Sequence, residues 1–228
     1  MAADKTNFKA VIFDMDGVIV DTENFYYDRR QAFFDGEGID ISEIPVATFI
    51  GGSMRELWSE ILHDNLSVAA IAALQQRYEN YKATHPLPYE KLLFPDAIAL
   101  LDFLNERQIK IALASSSQMS DILRALSVNQ LTEKFDVILS GEDFEHTKPD
   151  PAIYLSALAK LGVAASEALV IEDSPKGIAA GKAAGATVWA VKPEKLDLDQ
   201  SSADRIFDSL SEIQFVLSAE KVSPEISS

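Results

Sequence analysis

Five short apolar runs, separated by stretches long enough to form helices, constrain this chain more than any other feature. AVIF (Ala10 to Phe13), KIALA (Lys110 to Ala114), DVILS (Asp136 to Ser140), ALVIE (Ala168 to Glu172) and TVWAV (Thr187 to Val191) have the length and continuity of strands buried on both faces. The segments between the later runs carry helix signals. Asp96 is placed to cap a helix through Leu104, and Asp150-Pro151 opens one reaching Leu161 with Gly162 as its stop. Ser174-Pro175 starts a small-residue helix through Ala184, and Leu210 to Leu217 reads as the last one. Strands alternating with helices predict an α/β fold with a Rossmann-like parallel sheet.

Between the first and second runs the pattern changes. From about Thr22 to Pro88 the periodicity is helical and no strand is evident. Met54, Leu57, Trp58, Ile61 and Leu62 share one helical face, and Ala69, Ala72, Ala73, Gln76 and Asn80 suggest a further helix. Both sets are expected to be helix core rather than cofactor contacts. The chain thus divides into an α/β core of residues 1–20 and 89–220, a small helical insert of residues 21–88, and a tail, 221–228, of disordered composition. TENFYYDRR and KLLFPD are the expected linkers.

Composition narrows the partners. The 20 Lys plus Arg against 36 Asp plus Glu give a net charge of −16, which opposes binding to nucleic acid or an anionic membrane. No stretch reads as a secretory leader or membrane span, and the absence of cysteine removes disulfide, thiolate and zinc-thiolate chemistry. A cytoplasmic protein is expected; its oligomeric state stays open. The same acidic field repels phosphorylated molecules, so any activity on them needs a bound cation and a locally basic pocket.

Four clusters carry candidate chemistry. In FDMDGVIVDTE, Asp14 and Asp16 are two apart on an extended segment, so their carboxylates share a side and their repulsion calls for a cation or proton. Gly17 permits a sharp turn beside them. In ALASSS, Ser115 and Ser116 stand where hydroxyl and amide donors can meet a phosphoryl oxygen. In HTKPDP, Lys148 offers an ammonium from a restricted loop. In VIEDSPKG, Glu172 and Asp173 end a strand expected to lie beside the first, where their oxygens can complete a site for a hard ion with Asp14. His63, His85 and His146 read as ordinary polar residues and Trp58 and Trp189 as packing residues, while Arg55 and Arg77 are equally compatible with a solvated helix face and with substrate binding.

Taken in order, these strings resemble the phosphatase and phosphomutase branch of the haloacid dehalogenase superfamily, whose nucleophile motif is DxDGxxxDT/S and whose lysine sits in KPxP. The resemblance implies that Asp14 attacks phosphorus, that Asp16 is the general acid and base and lends a backbone carbonyl to Mg2+, and that Asp14, Asp16, Glu172 and Asp173 form the metal site. It also implies that the insert is a cap choosing among small phosphorylated metabolites, with Arg77 and Arg55 holding the substrate. Among cap-bearing members the strings IALAS, IEDS and GIAA are similar to β-phosphoglucomutases. Met54 stands where that group has a phosphate-binding arginine, and Tyr26 where it has a histidine, which favours hydrolysis of a small phosphate monoester over isomerisation. A phospho-receiver domain shares the acids, hydroxyl and lysine but fits DxDG and the insert poorly.

Overall fold

The computed structural model describes residues 8–50, 58, 67–193 and 196–219. Among them, six parallel strands form one sheet: β1 (Ala10–Phe13), β2 (Lys110–Ser115), β3 (Val137–Ser140), β4 (Ala168–Glu172), β5 (Thr187–Val191) and β6 (Arg205–Phe207), in the order β3-β2-β1-β4-β5-β6. The five apolar runs are the first five strands. The sixth escaped notice because it is three residues long and buries only Phe207. β1 is central, with Phe13 opposite Leu113 of β2 on one side and Ile171 of β4 on the other. The residues that follow these partners therefore emerge together at one sheet edge.

The alternation of a strand builds two cores. Val11 and Phe13 join Leu100 and Leu104 of α3 (Pro95–Glu106), Ile122 of α4 (Met119–Val128) and Ile213 of α7 (Leu210–Ala219). Ala10 and Ile12 face the other way, onto Tyr154, Ala157 and Leu158 of α5 (Ala152–Leu161) and Ile178 of α6 (Pro175–Ala183). Ser174 caps α6 by accepting the Gly177 amide at 3.0 Å, and Gly162, at φ 67°, closes α5. Asp96 does not cap α3: Phe94 precedes the helix and Pro95 starts it, while the Asp96 carboxylate accepts the Ser211 amide and hydroxyl at 2.8 and 3.1 Å and ties α3 to α7.

The insert contributes α1 (Glu23–Gly36) and α2 (Val68–Thr84), which pack around a third apolar cluster of Phe33, Phe34, Ile41, Phe49, Trp58, Leu74 and Tyr78. TENFYYDRR is thus not a linker but the opening turns of α1. Where the polypeptide passes between core and insert, Val20 and Leu93 form a bridge, with the Asp21 amide donating to Leu92 O at 2.7 Å. The helix carrying Ala69, Ala72, Ala73, Gln76 and Asn80 exists, but these side chains are exposed and the larger Leu74 and Tyr78 form its buried face. Trp58 is buried against Phe34 and Tyr78, and Trp189 against Phe8 and Phe207. Met54, Arg55, Leu57, Ile61, Leu62, His63 and the tail lie outside the described residues. No described helix is long and apolar enough to cross a membrane.

Candidate active site

Asp14 follows β1, its amide still donating to Ile171 O at 3.0 Å, so the ladder to β4 fixes its backbone. Its carboxylate meets Lys148, whose Nζ donates to Asp14 Oδ1 at 2.6 Å, to Glu172 Oε1 at 2.7 Å and to Ala114 O at 3.0 Å. All three donor positions of the ammonium are used. Burial opposes the lysine charge, yet the Asp14 and Glu172 carboxylates hold its pKa well above the ordinary value. Burial raises Asp14 to about 7, against the lowering effect of Lys148, with Glu172 and Asp16 adding repulsion.

Glu172 is the fixed point of this arrangement. Oε1 also accepts the Tyr154 hydroxyl at 2.7 Å, and Oε2 accepts the amides of Asp173 and Ser174 and the Ser174 hydroxyl at 3.0 to 3.1 Å. Burial disfavours its charge, but Lys148, Tyr154 and these donors outweigh it and its pKa is lowered. Gly177, in the first turn of α6, leaves the room that Glu172 fills.

Asp16 looks elsewhere. Its Oδ1 accepts Thr22 Oγ1 at 2.5 Å and its Oδ2 accepts Ser117 Oγ at 2.8 Å and Ser115 Oγ at 3.4 Å. Burial raises its pKa against these bonds, which favours the protonated form a general acid requires. Tyr26 Oη lies 3.4 Å from Ser117 Oγ and 3.2 Å from Tyr89 Oη, extending the network into the insert. Ser115 is wholly buried and turned toward Asp16, whereas Ser116 and Ser117 line the cavity.

One oxygen from each of Asp14, Glu172 and Asp173 falls within 4.8 Å of the others, a buried all-carboxylate donor set of the kind that suits a hard divalent cation. Gly17, at φ 79°, makes space for it: a β-carbon there would stand 2.2 Å from Asp173 Oδ2. The Asp16 carboxylate is bonded instead by Thr22 and Ser117, which leaves the contribution expected of this residue to its backbone carbonyl.

Above these groups is a cavity of about 330 Å3, lined on the core side by Asp14, Asp16, Ser116, Ser117, Thr147 and Asp173 and on the insert side by Tyr26, Arg29, Arg30, Phe49, Trp58, Tyr78 and Lys82. Arg77 does not line it. Its guanidinium makes a two-pronged pair with Glu37, Nε and Nη2 donating at 2.8 to 3.1 Å, and half its side chain is in solvent. Among the described residues, the basic ones at the cavity are Arg29, Arg30 and Lys82, none of which was a candidate from the sequence. The signal was available for Arg30: with Tyr26, Phe33 and Phe34 it sits at helical spacing on the buried face of α1, an unusual place for a charge.

A parallel core that gathers an aspartate–lysine pair and an acid triad at the ends of its central strands, beneath a helical insert, defines a phosphatase or phosphomutase type of enzyme. The chain belongs to the haloacid dehalogenase-like hydrolase family, whose model matches residues 11–191. It is 33% identical over 180 residues to a phosphorylated carbohydrates phosphatase of Thermotoga maritima, an alignment covering 78% of this chain and 82% of that one. With hexitol phosphatase A of Escherichia coli K12 it shares 31% identity over 205 residues, 90% and 93% of the two chains. The crystal structure of β-phosphoglucomutase from Clostridium difficile superposes with a TM-score of 0.82 at 26% identity, covering 94% of this chain and 96% of that chain.

Proposed function

We propose that this enzyme hydrolyses small phosphate monoesters, sugar phosphates among them, through a phosphorylated Asp14. The observation that carries the reading is the junction of Asp14, Lys148 and Glu172, a buried carboxylate paired with a buried cation, opening onto a cavity that Asp16 also lines. Asp14 attacks phosphorus as the ester P–O bond breaks, and Asp16 gives its proton to the departing alcohol oxygen. Asp16 then takes a proton from water as the water oxygen attacks the phosphoaspartate, releasing inorganic phosphate and restoring Asp14. Lys148 lies close enough to Asp14 to offset negative charge on the transferring group.

The donor set fits Mg2+, with Asp14, Glu172 and Asp173 as the carboxylates around it; the ion would supply positive charge for the phosphoryl oxygens. Glu172 would serve mainly as the anchor of Lys148, since both its oxygens already accept hydrogen bonds. We take residues 21–88 as the cap that encloses the substrate, a division supported by the separate apolar cluster between α1 and α2. The likeness to a β-phosphoglucomutase supports a mutase as the second reading; Tyr26, in place of that group's histidine, favours hydrolysis.

The test is a panel of phosphorylated sugars, hexitols and small acids assayed for phosphate release with Mg2+ and with excess chelator, alongside Asp14→Asn. Chelation should abolish turnover, and acid-quenched enzyme should carry phosphate only when Asp14 is present. Phosphate release from no ester would overturn the hydrolase reading. Conversion of a hexose 1-phosphate to its 6-phosphate without release would select the mutase.

A further inference from the structure

The cavity contains a cation that the chemistry above does not use. Arg30 is only 7% exposed, yet among the described residues its buried Nε and Nη1 have no hydrogen-bond partner and no ion pair involves it. A guanidinium stays charged at any ordinary pH, so burying it without an anion is unfavourable. Its neighbours are the faces of Tyr26 and Phe49, 5.4 and 5.7 Å from its central carbon to the ring centres. These flank the cation but accept no directed hydrogen bond from its plane. The other two cavity cations are less isolated: Lys82 is matched by Asp121 at 3.1 Å and Glu79 at 3.3 Å, and Arg29, whose Nε is also buried without a partner, is less buried as a whole and donates through Nη1 to His85 O at 3.3 Å.

Building on the phosphatase reading, we propose that Arg30 receives a second oxyanion of the substrate, so that the preferred ester carries a phosphate or carboxylate group in addition to the phosphoryl group transferred to Asp14. A planar fork of N–H donors matches two oxygens of such a group at once, which a neutral hydroxyl cannot do. Held in a buried wall between two rings, the fork is already oriented before the ligand arrives.

The experiment uses the full chain with Mg2+ and compares kcat/KM for a sugar bisphosphate, a phosphorylated sugar acid and a hexitol phosphate. Wild type should prefer at least one of the two doubly anionic esters over the hexitol ester by about 10- to 100-fold, the range of a charge-assisted pair. Which of the two is preferred tells phosphate from carboxylate. Arg30→Met should remove that preference, and Arg30→Lys should keep part of it, having the charge without the fork. In parallel, calorimetry of the sugar bisphosphate on Asp14→Asn should show binding weakened by a similar factor when Arg30→Met is added. A hexitol ester turned over as well as both anionic ones, or a preference that survives undiminished in Arg30→Met, overturns the inference. If Arg30→Met does not fold, full retention of the preference by Arg30→Lys overturns the bidentate receptor, and a partial loss supports it. Should wild type hydrolyse no ester, the phosphatase reading fails by itself, and calorimetry still decides whether Arg30 binds an anion.

Discussion

Glu172 Oε1 stands 1.7 Å from the point that a β-carbon on Gly177 would occupy, so the helix that follows β4 and the carboxylate that ends it share one space. A methyl group there must displace Glu172 from Lys148 or push α6 off the sheet. Gly177→Ala is therefore expected to lose about 1–3 kcal/mol of stability, the usual cost of overpacking, and to depress phosphate release with it. Gly36→Ala is the control: at the end of α1 nothing lies within 4 Å of the added carbon, and stability should be unchanged or rise by under about 1 kcal/mol. Denaturant titration of both variants beside a turnover assay checks the pair; equal behaviour would contradict the steric account.

Removing the cation between two buried carboxylates should be worse than removing either carboxylate's neighbour. Lys148→Met leaves Asp14 and Glu172 facing each other without compensation, and a stability loss of about 3–5 kcal/mol at neutral pH is expected. Turnover should fall by at least about 100-fold on every ester, because the lost charge acts at the phosphoryl group and not on the alcohol. A variant that kept ordinary kcat on p-nitrophenyl phosphate would refute that role.

The strands and the catalytic clusters were legible because each is a local pattern: a strand buried on both faces writes itself as an apolar run, and DMDG, KPDP and EDSP are contiguous. What escaped depended on partners distant in sequence. Arg77 had the right charge and helix, but Glu37, forty residues away, claims it. Arg30 looked like part of a linker until α1 placed it beside Tyr26 and Phe49. Asp96 had the right residue type for a cap, yet Ser211 holds it.

The Arg77–Glu37 pair has its own test. Arg77→Ala should leave the ratio of kcat/KM between any two esters unchanged, and Glu37→Gln should behave alike, since both remove only a pair at the surface of the insert. A shift in substrate preference in Arg77→Ala alone would restore the residue to the binding site.

Asp16→Asn should separate chemistry from binding. With no proton to donate, it is expected to lose about 100- to 10,000-fold on alkyl phosphates, whose alcohols are strongly basic, and far less on p-nitrophenyl phosphate, whose leaving group needs little help. KM should move little, because the side chain is held by Thr22 and Ser117 and an amide oxygen can keep one of those bonds. Equal losses on both kinds of ester would argue that Asp16 positions the substrate rather than transferring a proton.

The sheet edge supplies a prediction that owes nothing to catalysis. Asp204 joins β6 to its neighbours: its Oδ2 accepts the Val188 amide at 2.8 Å and its Oδ1 accepts Lys182 Nζ at 2.6 Å. Partial burial works against its charge, but Lys182 and the Val188 amide outweigh it and lower its pKa. A carboxylate with a depressed folded pKa stabilises the fold above its unfolded value of about 3.9 and loses that contribution as pH falls through the folded value. Asp204→Asn should therefore be less stable than wild type at pH 7, by no more than about 1 kcal/mol for a pair this exposed. Once pH has fallen below the lowered folded value the wild-type carboxyl is protonated as well, and the two unfolding curves should converge. A gap that stayed constant as pH fell from 7 to below the folded value would mean that the loss comes from packing at the β5–β6 edge and not from the carboxylate's charge.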